Sequence, residues 1–207
     1  MNITFMLDKQ GILLALTMGV LVFLIGGFSY LGLVLIFFIL AVLVTKHQHF
    51  RKKELGIYEH ERSWENVLSN GIVPTIMAIA SPWLGPLPFI CSISAITSDK
   101  FASELGVLSG TPVSLENLKP AKPGTSGAVS AFGLLMSLAG AILIGVSATW
   151  LFGINPNTAA MIGIVGFFGS VVDSIFGIFE EKGIGTKGTT NIICSLFGAI
   201  IGAFIGK

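Results

Sequence analysis

Three acids in this chain stand where an apolar run ought to exclude them, and their neighbours are the kinds of side chain that handle phosphate. In DKFASELG a helix puts Asp99, Ala102, Ser103 and Gly106 on one face, with Glu104 pointing about 140° away from Asp99. In DSIFGIFEE the pattern recurs: Asp173, Gly177 and Glu180 stand at i, i+4 and i+7, again on one face with a glycine between two acids. An acid inside a membrane span costs roughly 2.5 to 3.5 kcal/mol even on the lenient insertion scale, which makes each one a functional candidate in need of a partner. Two converging carboxylates repel, and the remedies are protonation of one or a shared cation. Carboxylates, phosphates and water are the usual ligands of Mg²⁺, so Asp99 and Asp173 are the candidate metal ligands and, with Glu104, the candidate catalytic acids. The alternative is that each aspartate pairs with a nearby lysine, Lys100 or Lys182, as structural glue.

A second group lies in KPAKPGTSGAVS. Lys119 and Lys122 precede Gly124, Thr125, Ser126 and Gly127, with Ser130 one turn into the next helix. A helix N-terminus offers unpaired N–H groups and the positive end of its dipole, and glycines let an anion approach the backbone. That combination suits a phosphate, although the same residues also make an ordinary turn and N-cap, and no GxxxxGK followed by Ser or Thr is present. ERSWENVLSNG adds Arg62, Asn66 and Asn70 at i, i+4 and i+8, a polar ridge entering the membrane; Asn191 supplies a further amide at the same level. For asparagines in spans the competing use is hydrogen bonding between helices. His47, His49 and His60 lie in a charged loop without cysteine nearby and read as a solvated face, while KHQHFRKKE suits anionic lipid headgroups. No nucleic-acid motif, zinc pattern or Ser/His/Asp set is present.

The elements that position these residues follow from composition. Of 207 residues, 53% are hydrophobic and 11% charged, and the mean hydropathy is +0.86, far from the roughly 25% charge of soluble domains. The expected fold is all-α: a polytopic integral membrane protein, 1–207 forming one transmembrane domain. Seven spans are predicted, at 10–28, 30–45, 66–80, 87–106, 127–152, 158–179 and 190–206. The third is the least regular, because it carries Asn66, Asn70, Gly71 and Pro74. No cleaved signal peptide is expected, since MNITFMLDKQ lacks a basic n-region. Cys91 and Cys194 fall in apolar runs and behave as small hydrophobes.

Basic residues collect in the loops following the second, fourth and sixth spans, above all in the basic loop 46–65, and the turns GGFSY, SPWLGP and FGINPN carry no charge. Lys and Arg are retained on the cytoplasmic side, so the N-terminus is expected inside and the C-terminus outside a cell membrane. Every Asp, Glu and His also falls in the cytoplasmic half, and acids contribute little to orientation, so that face is expected to do polar work. Small residues at helical spacing, Gly198, Gly202 and Gly206, and Gly163, Gly166 and Gly169, suit close helix packing. Self-association to a homo-oligomer is left open by the sequence.

Across 66–202 the blocks SDKFASELG, PGTSGAVSAFG and GSVVDSIFGIFEEKG resemble the signature blocks of the membrane prenyl-phosphate kinases. That resemblance implies transfer of a phosphate from CTP or another nucleoside triphosphate to a prenyl monophosphate such as phytyl or geranylgeranyl phosphate, with Mg²⁺, at the cytoplasmic membrane interface. On it, Asp99, Ser103 and Glu104 match the first block; Gly124, Thr125, Ser126, Gly127 and Ser130 the second; Asp173, Gly177 and Glu180 the third. Departures are Lys100, where a small or hydroxyl residue is expected, and GTKGTTN, which lacks an expected acid. Other readings are a CTP-dependent prenol or dolichol-type kinase, a CDP-lipid cytidylyltransferase and, from another class, an ion-coupled transporter using Asp99 and Asp173 as carriers. A transporter site usually lies near the midplane and is reached from both faces, whereas these acids sit toward one side.

Overall fold

In the computed structural model, residues 7–56 and 63–206 are described. Among the described residues the regular elements are α1 Lys9–Lys46, α2 His49–Glu54, α3 Trp64–Leu84, α4 Leu87–Gly106, the paired β1 Val113–Ser114 and β2 Ala128–Val129, α5 Ala131–Phe152, α6 Pro156–Glu181 and α7 Lys187–Ile205. Five of these helices, α1, α3, α5, α6 and α7, are long and apolar enough to cross a membrane.

The spans expected at 10–28 and 30–45 meet inside α1. At Gly27 the backbone leaves the helical region, with φ 68° and ψ −157°. That region is open to glycine without a Cβ penalty. Gly19 lies against the Leu31 side chain, although twelve residues of straight helix would separate them by about 18 Å. The two halves therefore fold back on each other, and both ends of α1 reach the same end of the bundle: Asp8 accepts from the Trp64 backbone N–H, and Thr45 donates to Glu104. Apolar side chains such as Leu16, Leu24, Phe28 and Ile39 remain exposed along α1, as suits a helix facing lipid.

α4 is the opposite case. It packs against each of α1, α3, α5, α6 and α7, and most of its residues are buried. Its polar side chains are consumed internally: the Ser94 hydroxyl donates to the Ile162 carbonyl, Ser98 to the Ser137 carbonyl, and Thr97 to the Ile93 carbonyl of its own helix. Those residues keep α4 out of the five strongly apolar helices, because a central helix faces protein on all sides and can use serine as a small contact residue. The apolar core, including Tyr30, Leu33, Phe89, Ile90, Ile93, Ile144 and Ile162, lies toward the uncharged end, where Tyr30 stacks near Phe89 and Phe152 at centroid distances of 4.6 and 5.0 Å. There the turns at Gly85, Gly153 and Gly206 line a shallow cavity of about 350 Å³.

Helix boundaries differ from the sequence expectation in physically legible ways. α3 runs through Pro74 and Pro82 because neighbouring helices hold it, starting earlier and ending later than the span at 66–80. α5 begins at Ala131 rather than 127, since Gly127 has φ +72° and the chain first forms the β1–β2 pair, Val113 opposite Val129 and Ser114 opposite Ala128. The hairpin and α2 have no counterpart among the elements expected from sequence. Arg62, His60 and Lys207 lie outside the described residues.

The small residues seen in the sequence do bring backbones together. A Cβ on Gly198 would stand 2.5 Å from the Cys91 carbonyl oxygen, and one on Gly202 2.6 Å from that of Leu87. Gly198→Leu therefore cannot be absorbed by a rotamer change and is expected to destabilise the protein by at least about 2 kcal/mol. An unchanged thermal unfolding midpoint in detergent would contradict the α4–α7 contact.

Candidate functional site

At the charged end a cleft of about 520 Å³ opens between α3, α4, α6, the start of α7 and the segment leading into α5. Its walls include Asn66, Asn70, Asp99, Ser103, Glu104, Gly124, Thr125, Ser126, Gly127, Ser130, Asp173, Glu180 and Asn191, all singled out from the sequence. Lys52, Lys100 and Lys187 also line it. Lys119 and Lys122, expected as phosphate contacts, are exposed and not among the lining residues. Their loop is committed elsewhere: Lys119 receives the Ser114 N–H on its carbonyl and donates its own N–H to Asn117.

Asp99 and Asp173 converge, and what joins them is Lys187. Its Nζ lies 2.6 Å from Asp173 Oδ2 and 3.5 Å from Asp99 Oδ2. The sequence-based alternative of pairing with Lys100 or Lys182 is corrected by this geometry. Lys100 pairs with Glu104 at 2.7 Å, and Lys182 with Glu116 at 2.8 Å, the latter tying the β1–β2 loop to the end of α6. Lys187 is invisible to a reading of the sequence because it stands in GTKGTTN, fourteen residues beyond Asp173, where only the fold of α6 onto α7 brings the two together. The available signal is that α7 opens with a lysine, an unfavourable charge at the positive end of a helix dipole unless acids offset it.

Oxygen acceptors exceed donors in this corner. Asp173 Oδ1, Glu180 Oε2 and Asn191 Oδ1 are buried with no hydrogen-bond partner. Buried polar atoms are almost always partnered, so these oxygens beside two carboxylates are acceptors open to water, a cation or a ligand's donors. Among the described residues no group of three or more His, Cys, Asp or Glu is placed to hold a metal ion alone. The donor set therefore fits Mg²⁺ in the manner usual for that ion, with one or two carboxylates and the rest of the shell from phosphate and water.

The glycine-rich turn is brought to the acids by backbone contact. A Cβ on Gly177 would lie 2.5 Å from the Gly127 nitrogen, and one on Gly127 2.7 Å from the Ile178 nitrogen. Gly177 is one turn beyond Asp173, so the turn at 124–127 rests on the helix that carries the acid. The backbone N–H groups of Gly124 and Ser126 bond to no other described residue. Ser130 serves the fold: its Oγ accepts from the Gly133 N–H, capping α5, and donates to the Gly106 carbonyl, joining α5 to the end of α4.

Glu104, expected as a catalytic acid, belongs to a different cluster. Its Oε2 accepts from Lys52 at 2.8 Å and its Oε1 from Thr45 at 2.7 Å, with Lys100 on the same oxygen. Lys52 is 1% exposed and its ammonium also donates to the carbonyls of Val44 and Thr45, whose helix is ending there. Three protons meet three acceptors, which is how a buried lysine remains tolerable. Composition alone makes Lys52 in KHQHFRKKE part of a lipid-facing basic patch; burial of one residue among several like charges leaves no trace there. Asn70 donates its amide to the Asn66 carbonyl within α3, presenting both asparagines at the cleft wall. Cys91 and Cys194 are both buried and free.

Residues 3–204 match the family described as Integral membrane protein DUF92. The uncharacterized membrane protein MJ0933 of Methanocaldococcus jannaschii is 39% identical over 209 residues, covering 96% of this chain and 85% of that protein. Protein PGR of Arabidopsis thaliana is 29% identical over 186 residues, covering 73% of this chain and 64% of the plant protein, so the chain spans a little under two thirds of it. No solved structure matches.

Removing one member of a buried ion pair strands the other, at a cost of about 3 kcal/mol. Lys52→Met is accordingly expected to lower the unfolding midpoint in detergent sharply, and Glu104→Leu, which also takes the carboxylate from Lys100, to lower it at least as much. Equal stability of the single variant and the parent would contradict a clamp between Lys52 and Glu104.

Proposed function

The chain belongs to the DUF92 family of integral membrane proteins, and from that premise we propose that it is a membrane lipid kinase, moving a phosphate from CTP or another nucleoside triphosphate to a prenyl monophosphate. The observation that carries this reading is a single cleft in which two recessed aspartates, unmatched acceptor oxygens, a lysine and a glycine-rich turn with unused N–H groups lie together at one end of an apolar bundle. A water-soluble nucleotide and a lipid can meet at that depth. We read the two halves of α1 as separate crossings and α4 as another, which gives seven, and place the charged end in the cytoplasm of a multi-pass cell-membrane protein because its loops hold the basic residues.

Phosphoryl transfer asks chiefly for positioning and charge neutralisation. Asp99 and Asp173 would hold Mg²⁺, which when bound would neutralise phosphate charge and help align donor and acceptor. The turn from Gly124 to Gly127 offers its N–H groups to the nucleotide phosphates, and Lys187 and Lys100 add positive charge at the same wall. Asn66, Asn70 and Asn191 are amides available to sugar, base or phosphate. An oxygen of the acceptor phosphate forms the new bond to the terminal phosphorus, the bond from that phosphorus to the bridging oxygen breaks, and the nucleoside diphosphate leaves with the electron pair. Since a phosphate monoester already carries its charge near neutral pH, its second pKa lying near 6, no side chain has to remove a proton. That suits a monophosphate acceptor, whose attack asks for no general base, so that the lining carboxylates can serve as ligands.

Purified protein offered CTP, ATP, GTP or UTP with phytyl or geranylgeranyl monophosphate is expected to yield the lipid diphosphate by mass spectrometry. No diphosphate from any donor, with monodisperse folded protein, overturns the proposal; transfer of a CMP unit with release of pyrophosphate, or phosphorylation of the free prenol alone, replaces it. Asp99→Asn and Asp173→Asn should each lower turnover by roughly a hundredfold or more, the scale of losing one charge-stabilising group. Lys119→Ala and Lys122→Ala, outside the cleft, should each cost less than about tenfold, a rim charge being worth about 1 kcal/mol.

A further inference from the structure

Lys187 sits where a metal ion would be expected, and its surroundings differ from those of every other lysine in the cleft. Its ammonium contacts both aspartates, whereas Lys52 and Lys100 are engaged with Glu104. The carboxylates are recessed, with side chains 11% and 7% exposed, but the lysine side chain is 43% exposed toward the cleft. The acids are thus fixed in the helices while the cation that joins them rides on a flexible stem with room to leave. It is also the first residue of α7, so the helix dipole does not hold it there; the two carboxylates do. Even with Lys187 in place Asp173 Oδ1 stays unmatched, beside the buried oxygens of Glu180 and Asn191.

We propose that Lys187 is a tethered counter-ion at the divalent-cation position of the cleft, and that it transfers to the nucleotide phosphates when metal and nucleotide enter. This rests on the reading of the cleft as a metal–nucleotide site, but not on the identity of the acceptor. A divalent ion arriving alone must displace the ammonium into solvent with nothing to receive it. Arriving with a triphosphate, it releases the ammonium onto a new anion within reach of the same stem. Metal and nucleotide therefore bind with positive coupling, and by linkage each strengthens the other by the same factor. The device keeps two buried carboxylates together without a resident metal.

The test uses the full chain in detergent or nanodiscs, Mn²⁺ followed by electron paramagnetic resonance, and a non-hydrolysable CTP or ATP analogue. The wild-type protein should bind Mn²⁺ weakly alone and about tenfold more tightly with the analogue, within the usual range of coupling. Lys187→Gln should bind Mn²⁺ alone more tightly than wild type, bind the analogue less tightly and lose the coupling; Lys187→Arg should keep weak metal binding. A Lys187→Gln protein of normal unfolding midpoint that binds Mn²⁺ no better than wild type overturns the proposal, as does absence of Mn²⁺ binding by wild type under every condition. Should Lys187→Gln fail to fold, lysine-directed labelling of the wild-type chain decides: modification of Lys187 should rise with Mn²⁺ and fall when the analogue follows, with Lys182 as the reference. Unchanged labelling of Lys187 overturns it. Loss of diphosphate synthesis with these binding results intact would strike the kinase assignment alone.

Discussion

Two carboxylates recessed in an apolar bundle stand close together only when one holds a proton or a positive charge stands between them; here Lys187 supplies the charge, and much of this protein is arranged around that placement. Asp99 comes from α4, Asp173 from α6 and the ammonium from the first turn of α7, so three helices must meet at one depth. α4 can reach both partners because it is the central helix, packed on every other long helix. Its serines serve this placement: each hydroxyl satisfies a carbonyl of a neighbour or of α4 itself and occupies little volume. Apolar side chains of greater size would push α6 outward and carry Asp173 away from Asp99.

The second constraint is backbone proximity. Glycines at 127 and 177 let the 124–127 turn lie directly on α6, and Gly106 and Gly133 do the same for the junction between α4 and α5. Where these positions carried side chains, the turn would stand off by the thickness of a methyl group or more, and the N–H groups would no longer share a wall with the acids. Gly27 acts differently, through its positive φ, by letting α1 double back so that both of its ends reach the charged face. There Thr45, at one end, helps hold Glu104, and Lys52 closes the ending helix against α4. The Lys52–Glu104 clamp and the aspartate pair each draw one acid from α4, Glu104 and Asp99, five residues apart. Among the described residues, the Lys52–Glu104 cluster and the Lys187–aspartate cluster share no charged group.

This division also separates the acids by role. Glu104 has both oxygens engaged by Lys52, Lys100 and Thr45, which makes it a positioning residue. Asp173 and Glu180 each keep an unmatched buried oxygen, which makes them available to a ligand. Lys119 and Lys122 lose their expected place because the segment that carries them folds into a hairpin over the cleft rim, turning its glycines inward and its lysines out.

The sequence by itself determined the class of protein and which polar residues share one end of the molecule, because hydropathy, charge distribution and helical spacing are local and additive along a chain. It placed Asp99, Asp173, Glu180, Asn66, Asn70, Asn191 and the 124–130 turn at one level, and the cleft contains them all. Only the tertiary structure decided which charge answers which. Lys187 and Lys52 look like ordinary loop lysines, and their partners lie fourteen and fifty-two residues away. Pairing of that kind depends on which helix faces overlap once the bundle closes, a matter of side-chain volume and backbone approach summed over the whole core, and no window of sequence contains it.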